Sequence, residues 1–232
     1  MAECPAQIDH LVVAARTLDE GVAWCEATLG VTPGPGGEHP LFGTHNRLLR
    51  LDGDEAPDAY LEVIAIDPHA TPTRAPGRRR WFDLDDPALQ QRLQRQGPQL
   101  VHWVARVPDI DASLAALRAI GIQRGPAVSA SRQTAHGLLQ WRISVRDDGQ
   151  RLFNGALPTL IQWSGTQHPT RHMPASGVAL RRLHLRHAGA AGLRAALQAV
   201  GLPGITVSDG PAGLAAELDT PAHGRLSLLS PP

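Results

Sequence analysis

The chain carries one pattern twice. Near its start it reads Ile8-Asp9-His10-Leu11-Val12-Val13-Ala14, then a helical run ending Leu29-Gly30, then Tyr60-Leu61-Glu62-Val63-Ile64-Ala65-Ile66. In its middle it reads Leu100-Val101-His102-Trp103-Val104-Ala105, then a helical run ending Ile120-Gly121, then Leu157-Pro158-Thr159-Leu160-Ile161-Gln162-Trp163. Each copy places a histidine in its first strand and a metal-capable polar side chain in its last. The separations are similar, 62 − 10 = 52 and 162 − 102 = 60 residues. A repeat of this length constrains the fold more than a single motif does.

Alternation makes residues 8–15 a strand, with Ile8, His10 and Val12 on one face. Thr17 with Glu20 has capping-box spacing for a helix from Leu18 to Leu29, and Gly30 is the expected stop. Pro33 to Pro40 reads as a Gly/Pro-rich loop, followed by strands at 45–51 and 59–66. Residues 67–82, rich in Pro and Arg, read as a surface loop. A connecting helix is expected over Asp83 to Arg95. The second copy predicts a strand at 100–107, a helix at 109–120 and strands near 125–131, 138–146 and 158–164. A shorter third unit follows: a strand from Ala179 to His187, a helix from Ala190 to Val200, and strands near 204–208, 213–219 and 224–229. Its last strand, Arg225-Leu226-Ser227-Leu228-Leu229, sets Ser227 against Glu62, so it keeps a histidine (His184) and loses the carboxylate. The expected division is 1–66, a connector 67–98, 99–170, and 178–232.

Formal net charge is zero, with 22 Lys+Arg against 22 Asp+Glu, which argues against nucleic-acid or membrane-surface partners. All the basic residues are arginine, so no Schiff-base or phosphate-loop lysine exists. Cys4 and Cys25 form no disulfide framework and read as reduced thiols of a cytoplasmic protein. No signal peptide and no membrane-length apolar run is read. Nucleophile elbow, phosphate loop and dinucleotide fingerprint are all missing.

A strand–helix–three-strand unit, used twice, with His in the first strand and Glu in the last, resembles the vicinal oxygen chelate superfamily. The residues carrying the likeness are Ile8-Asp9-His10-Leu11-Val12, Gly43-Thr44-His45-Asn46-Arg47-Leu48-Leu49, Tyr60-Leu61-Glu62-Val63-Ile64 and Leu160-Ile161-Gln162-Trp163, with His168-Pro169 just after. The match is to the glyoxalase-like-domain branch. It implies an α+β fold of βαβββ units forming a cupped mixed sheet, with a third degenerate unit. It also implies a divalent-metal shell of His10, Glu62, His102 and Gln162 around an oxygen-rich small molecule. Zinc, iron, manganese and nickel are the candidate ions.

A carboxylate between Leu61 and Val63 needs a partner, a metal or a shifted pKa. Glu62 is therefore the candidate ligand or catalytic base. Gln162 is a neutral amide, as well suited to hydrogen-bond substrate as to ligate. His45 and Asn46 are candidate substrate binders at the mouth of the cup, or organisers of their turn. Trp103 and Trp163 alternate against His102 and Gln162, and are expected to pack away from the cup. Arg78-Arg79-Arg80 reads as a solvated loop or an anion-binding lid.

The expected function is a glyoxalase-like enzyme whose metal acts as a Lewis acid toward an enolate-like intermediate. The alternatives are a metal-free drug or metabolite binder, as bleomycin-resistance relatives are, and an extradiol-type dioxygenase. The expected partner is a small-molecule substrate, and a homodimer is allowed.

Overall fold

The computed structural model describes residues 5–53 and 56–231. Cys4 lies outside them. Cys25 is a free, buried thiol, which burial and then the neighbouring Glu26 carboxylate push up to about 12.

The first strand, β1 (Gln7–Ala14), leads into α1 (Leu18–Leu29). Thr17 accepts a hydrogen bond from the Glu20 N–H at 3.1 Å, and Gly30 ends the helix in the left-handed region at φ 73°. A Cβ on Gly21 would meet Val63 Cγ1 at 2.2 Å, so this glycine lets α1 lie down on the sheet. Next come β2 (Gly34–His39), β3 (Thr44–Arg50) and β4 (Tyr60–Ile66). The Gly/Pro stretch expected to be a loop is thus a strand. It is an edge strand with a register slip between Pro35 and Glu38, the setting in which proline and glycine are tolerated in a sheet.

The connector holds α2 (Pro87–Gln96), which starts later than the expected Asp83. Asp86 caps it and Pro87 opens its first turn, while Phe82 and Asp83 sit at positive φ and cannot belong to it. The expected surface loop 67–82 is likewise corrected at its end. Trp81 and Phe82 are buried, and with Leu89 and Leu93 of α2 they fill part of the cup.

The second half runs β5 (Gln99–Arg106), α3 (Ile110–Ala119), β6 (Ala127–Thr134), β7 (Gly137–Ser144) and β8 (Thr159–Trp163). The last part runs β9 (Ala179–Arg186), α4 (Ala190–Ala199), β10 (Thr206–Ser208), β11 (Gly213–Thr220) and β12 (Gly224–Leu229).

Eight strands make one curved mixed sheet in the order β2-β3-β4-β1-β5-β8-β7-β6. The central strands β1 and β5 are antiparallel, and each is flanked by a parallel partner, β4 and β8. The end strands β2 and β6 approach each other, so the sheet nearly closes into a cup.

One core fills the convex side. It joins Leu11, Val13 and Trp103 of the sheet to Leu29 of α1 and Leu114 of α3. The same cluster includes the α4 stripe Leu193, Ala196, Leu197 and Val200, together with Leu214 and Leu218 of β11. The second core lines the concave side around Val12, Ile64, Val104, Trp81 and Trp141.

The last four strands form a separate sheet, β10-β9-β11-β12. Here the parallel partner of the first strand is β10, whereas β12 pairs only with β11. Ser227 on β12 therefore has no positional equivalence to Glu62 on β4. Among the described residues, no helix is long and apolar enough to cross a membrane.

Candidate active site

The first half builds a polar centre inside the cup. His10 and Glu62 lie on adjacent parallel strands, where His10 pairs with Tyr60 and Val12 with Glu62. Both side chains are buried, and His10 Nε2 lies 3.6 Å from Glu62 Oε2. Tyr60 stacks on the imidazole at 4.5 Å. Burial first, then the nearby Asp9 and Glu62 charges, raise the Tyr60 phenol well above its ordinary range, so it stays protonated.

Behind His10 stands Asp9, fully buried. The β1/β5 ladder slips between Ile8 and His10, a bulge that brings consecutive residues together on one side. The Asp9 carboxylate accepts three hydrogen bonds: from His10 Nδ1–H at 2.7 Å, Trp163 Nε1–H at 2.9 Å and His168 Nε2–H at 3.1 Å. Burial alone would raise its pKa. The hydrogen bonds from His10 and His168, and their charges, outweigh that and hold the carboxyl well below the usual carboxylate range. With Nδ1 committed to Asp9, His10 presents Nε2 to Glu62 and the cup.

Glu62 is held from its other side. Asn46 donates to Glu62 Oε1 at 2.6 Å and to His39 Nε2 at 3.3 Å, while its side-chain oxygen Oδ1 accepts from the Gly37 N–H at 2.8 Å. Burial, then the Arg132 charge, push His39 down to about 3, so it is neutral and can accept. Gly36 makes this contact feasible: a Cβ there would sit 2.2 Å from the Asn46 carbonyl oxygen and from its Oδ1. Arg132 reaches across from β6 and donates to Asn46 Oδ1 at 3.3 Å. The small chamber so enclosed, about 30 Å³, is lined by His10, Glu62, Asn46, Arg132, Trp81 and Trp163 among others. It adjoins an outer cleft of about 480 Å³, with Leu48, Arg132 and Pro169 common to both walls.

Of the residues singled out from sequence, His10, Glu62 and Asn46 meet here. His45 alternates with Asn46 on β3 and does not line the chamber. His102 is fully buried but committed elsewhere: Nδ1–H donates to the Gly155 carbonyl at 2.9 Å, and Nε2 accepts from the Thr159 N–H at 3.1 Å. Burial, and next the Arg124 charge, lower its pKa well below the ordinary value, which keeps it neutral. Gln162 turns to the convex side, where it accepts from the Ile110 N–H at 3.3 Å and donates to the Pro108 carbonyl at 2.6 Å at the start of α3.

The reason is register. Glu62 pairs with Val12, two residues after His10; Thr159 pairs with Val104, two residues after His102. Thr159, not Gln162, is thus the counterpart of Glu62. An odd offset of three flips the face, so Trp163 points into the cup, contrary to the alternation-based expectation, while Trp103 packs under the helices as expected. Arg78 and Arg80 pair with Asp147 and Asp85, away from the chamber.

The four-residue metal shell consequently does not assemble. Among the described residues no cluster of three or more His, Cys, Asp or Glu side chains is placed to hold an ion. His10 and Glu62 alone fall short of the three protein donors common at catalytic metal centres, and a guanidinium stands beside them. Asp9, Arg132, Trp163 and His168 were not singled out as site residues from sequence. An aspartate directly before a histidine in an apolar strand was the available signal for Asp9; the other three are brought in by tertiary folding.

A family model described as a glyoxalase-like domain matches residues 8–201. Among solved structures, a hypothetical protein from Staphylococcus aureus is similar at TM-score 0.57 and 12% identity, over 97% of this chain and 85% of its own. A Streptomyces coelicolor methylmalonyl-CoA epimerase variant in complex with 2-nitronate-propionyl-CoA is similar at TM-score 0.42 and 21% identity, over 70% of this chain and 100% of its own. A Mycobacterium tuberculosis methylmalonyl-CoA epimerase reaches 0.39 and 17%, over 69% and 89%. Among curated proteins nothing matches this chain.

Proposed function

The chain belongs to the glyoxalase-like domain family of the vicinal oxygen chelate superfamily, and on that premise we propose that it is an enzyme moving a proton at a carbon next to a carbonyl, without a metal. The observation carrying this is the pair His10 Nε2 and Glu62 Oε2, 3.6 Å apart, each fixed from behind by a buried polar partner. Asn46 engages Oε1, so Oε2 is the oxygen that faces the substrate. Breaking the C–H bond sends the proton to Glu62 Oε2 and the electron pair into the adjacent carbonyl. The nascent oxyanion takes hydrogen bonds from Arg132 and from Trp81, whose indole N–H is buried without a partner. His10 Nε2 is placed to exchange that proton with Glu62.

An extradiol oxygenase would require an iron shell of two histidines and a carboxylate. His102, with both ring nitrogens engaged, does not fit that role. The competing reading is a sequestering protein, favoured by the larger outer cleft.

The test is exchange of substrate α-protons in deuterium oxide, followed by NMR on a panel of 2-oxo acids, β-keto acids and thioesters. Wild-type protein treated with a chelator should catalyse exchange on at least one of them. Glu62→Gln should slow it by about 100-fold or more. Loss of exchange on chelation, or an unchanged rate in Glu62→Gln, would refute the metal-free base mechanism. Tight binding with no exchange on any member would favour sequestration.

A further inference from the structure

Arg132 occupies a singular place. Its guanidinium lies at the junction of the polar chamber and the outer cleft, and it contributes to the walls of both. It springs from β6 and crosses to β2 at the other end of the sheet, where Gly37 leaves room. A Cβ at that position would come within 2.7 Å of Arg132 Nη1. The side chain is sparingly satisfied: among the described residues it makes one hydrogen bond, to Asn46 Oδ1, and no ion pair with a carboxylate. Its Nε–H is buried with no partner.

A buried donor on a permanent cation is costly to leave unmade, and a planar guanidinium fork matches a carboxylate. The outer cleft beyond it is mostly apolar, though Arg50, His136 and His172 also line it. Val31, Leu48, Leu49, Leu138, Leu139 and Met173 contribute its apolar surface, and Leu138 is 49% exposed. At about 480 Å³ the cleft is within the size range of small-molecule pockets and far larger than the chamber it serves.

We infer that the ligand is an amphipathic carboxylate, its anionic head held by Arg132 and its apolar body lying in the outer cleft. Arg132 then sets specificity, by aligning the carbon beside the head with Glu62. This assignment rests on the proposed reading of the chamber as the reacting centre, and it names the substrate class. A chain of several carbons is needed to reach from Arg132 into the cleft, so a short acid uses only half of the site.

Direct binding separates this inference from the catalytic reading. Octanoate, 1-octanol and acetate would be titrated against the full chain by calorimetry and by quenching of tryptophan emission, since Trp81, Trp141 and Trp163 line the chamber. Octanoate should bind about tenfold or more tightly than either 1-octanol or acetate. In Arg132→Met the preference for octanoate over 1-octanol should vanish, with 1-octanol affinity unchanged. Arg132→Lys should keep part of it. Equal affinity of wild-type protein for octanoate and 1-octanol would overturn the inference without any variant, even if loss of the bridge to β2 unfolds Arg132→Met. So would an unchanged octanoate preference in a folded Arg132→Met protein. The same titration on Glu62→Gln should retain the preference. Retained head-group selectivity with no proton exchange would sink the catalytic reading alone, whereas proton exchange on a neutral substrate by a protein that binds octanoate and 1-octanol equally would sink this one alone.

Discussion

At the scale of single residues, Asp9 organises the site more than the histidines do. One buried carboxylate takes hydrogen bonds from His10, Trp163 and His168, and so joins β1, the end of β8 and the turn at Pro169–His172. Removing the charge by Asp9→Asn leaves three donors facing a weaker acceptor, and should cost roughly 3 kcal/mol at neutral pH. The pH dependence has a defined sign. The folded-state pKa of Asp9 is depressed, so its contribution is complete above the unfolded carboxyl value of about 3.9 and is lost as pH falls below that toward the folded value. Urea melts from pH 7 to pH 2 should show a steeper acid loss in wild-type protein than in Asp9→Asn. Parallel acid limbs would show that folding does not lower the Asp9 pKa. The second half of the sheet displays the same geometry in closed form. Thr159 stands where Glu62 would, and hydrogen-bonds His102, with Thr159 Oγ1 lying 3.0 Å from Nε2. That half therefore contributes packing where the first half holds the His10–Glu62 pair at the chamber wall.

At the scale of elements, β8 shows how one strand serves two functions through its two faces. Ile161 and Trp163 close the cup, while Gln162 grips the first turn of α3 on the other side. Asp109 caps the same turn by accepting from the Asp111 and Ala112 N–H groups. Gln162→Ala should therefore cost about 1 kcal/mol of stability through the loosened start of α3. Octanoate binding and proton exchange should be unchanged. A chemical-denaturation curve paired with a binding titration checks both. A large loss of binding with no loss of stability would return Gln162 to the site. The edge strand β2 depends equally on detail, since Gly36 and Gly37 make room for Asn46 and Arg132 where side chains would collide.

At the scale of the whole molecule, a single apolar core runs through the convex side and does not stop at the eight-stranded sheet. Leu193, Ala196, Leu197 and Val200 of α4, with Leu214 and Leu218 of β11, share it with Trp103, Ile110 and Leu114. Truncation before Ala179 would strip those partners away and expose a broad apolar face. The shortened chain should aggregate, or melt well below the full chain, in size-exclusion and thermal-denaturation measurements. A soluble monomer with an unchanged melting temperature would make the last four strands an appendage.

Apart from β2, whose Gly/Pro stretch reads as a loop, the order of strands and helices was legible because it depends on local periodicity, caps and glycine stops, which Thr17, Glu20 and Gly30 state plainly. The pairing of His10 with Glu62 was legible for the same reason, since an apolar strand tolerates such residues only where they have partners. The position of Gln162 was not. Two apolar strands slide past one another in sequence with little penalty, and only the hydrogen-bonded ladder chooses between Thr159 and Gln162. Nor could sequence show that both nitrogens of His102 would be taken by Gly155 and Thr159, more than 50 residues away. Arg132 enters the site only because curvature brings β6 back to β2. By itself the sequence determined which residues must be buried or capped. Which buried polar groups face each other was decided by register and sheet closure, because hydrogen-bond partners distant along the chain are chosen by the whole fold.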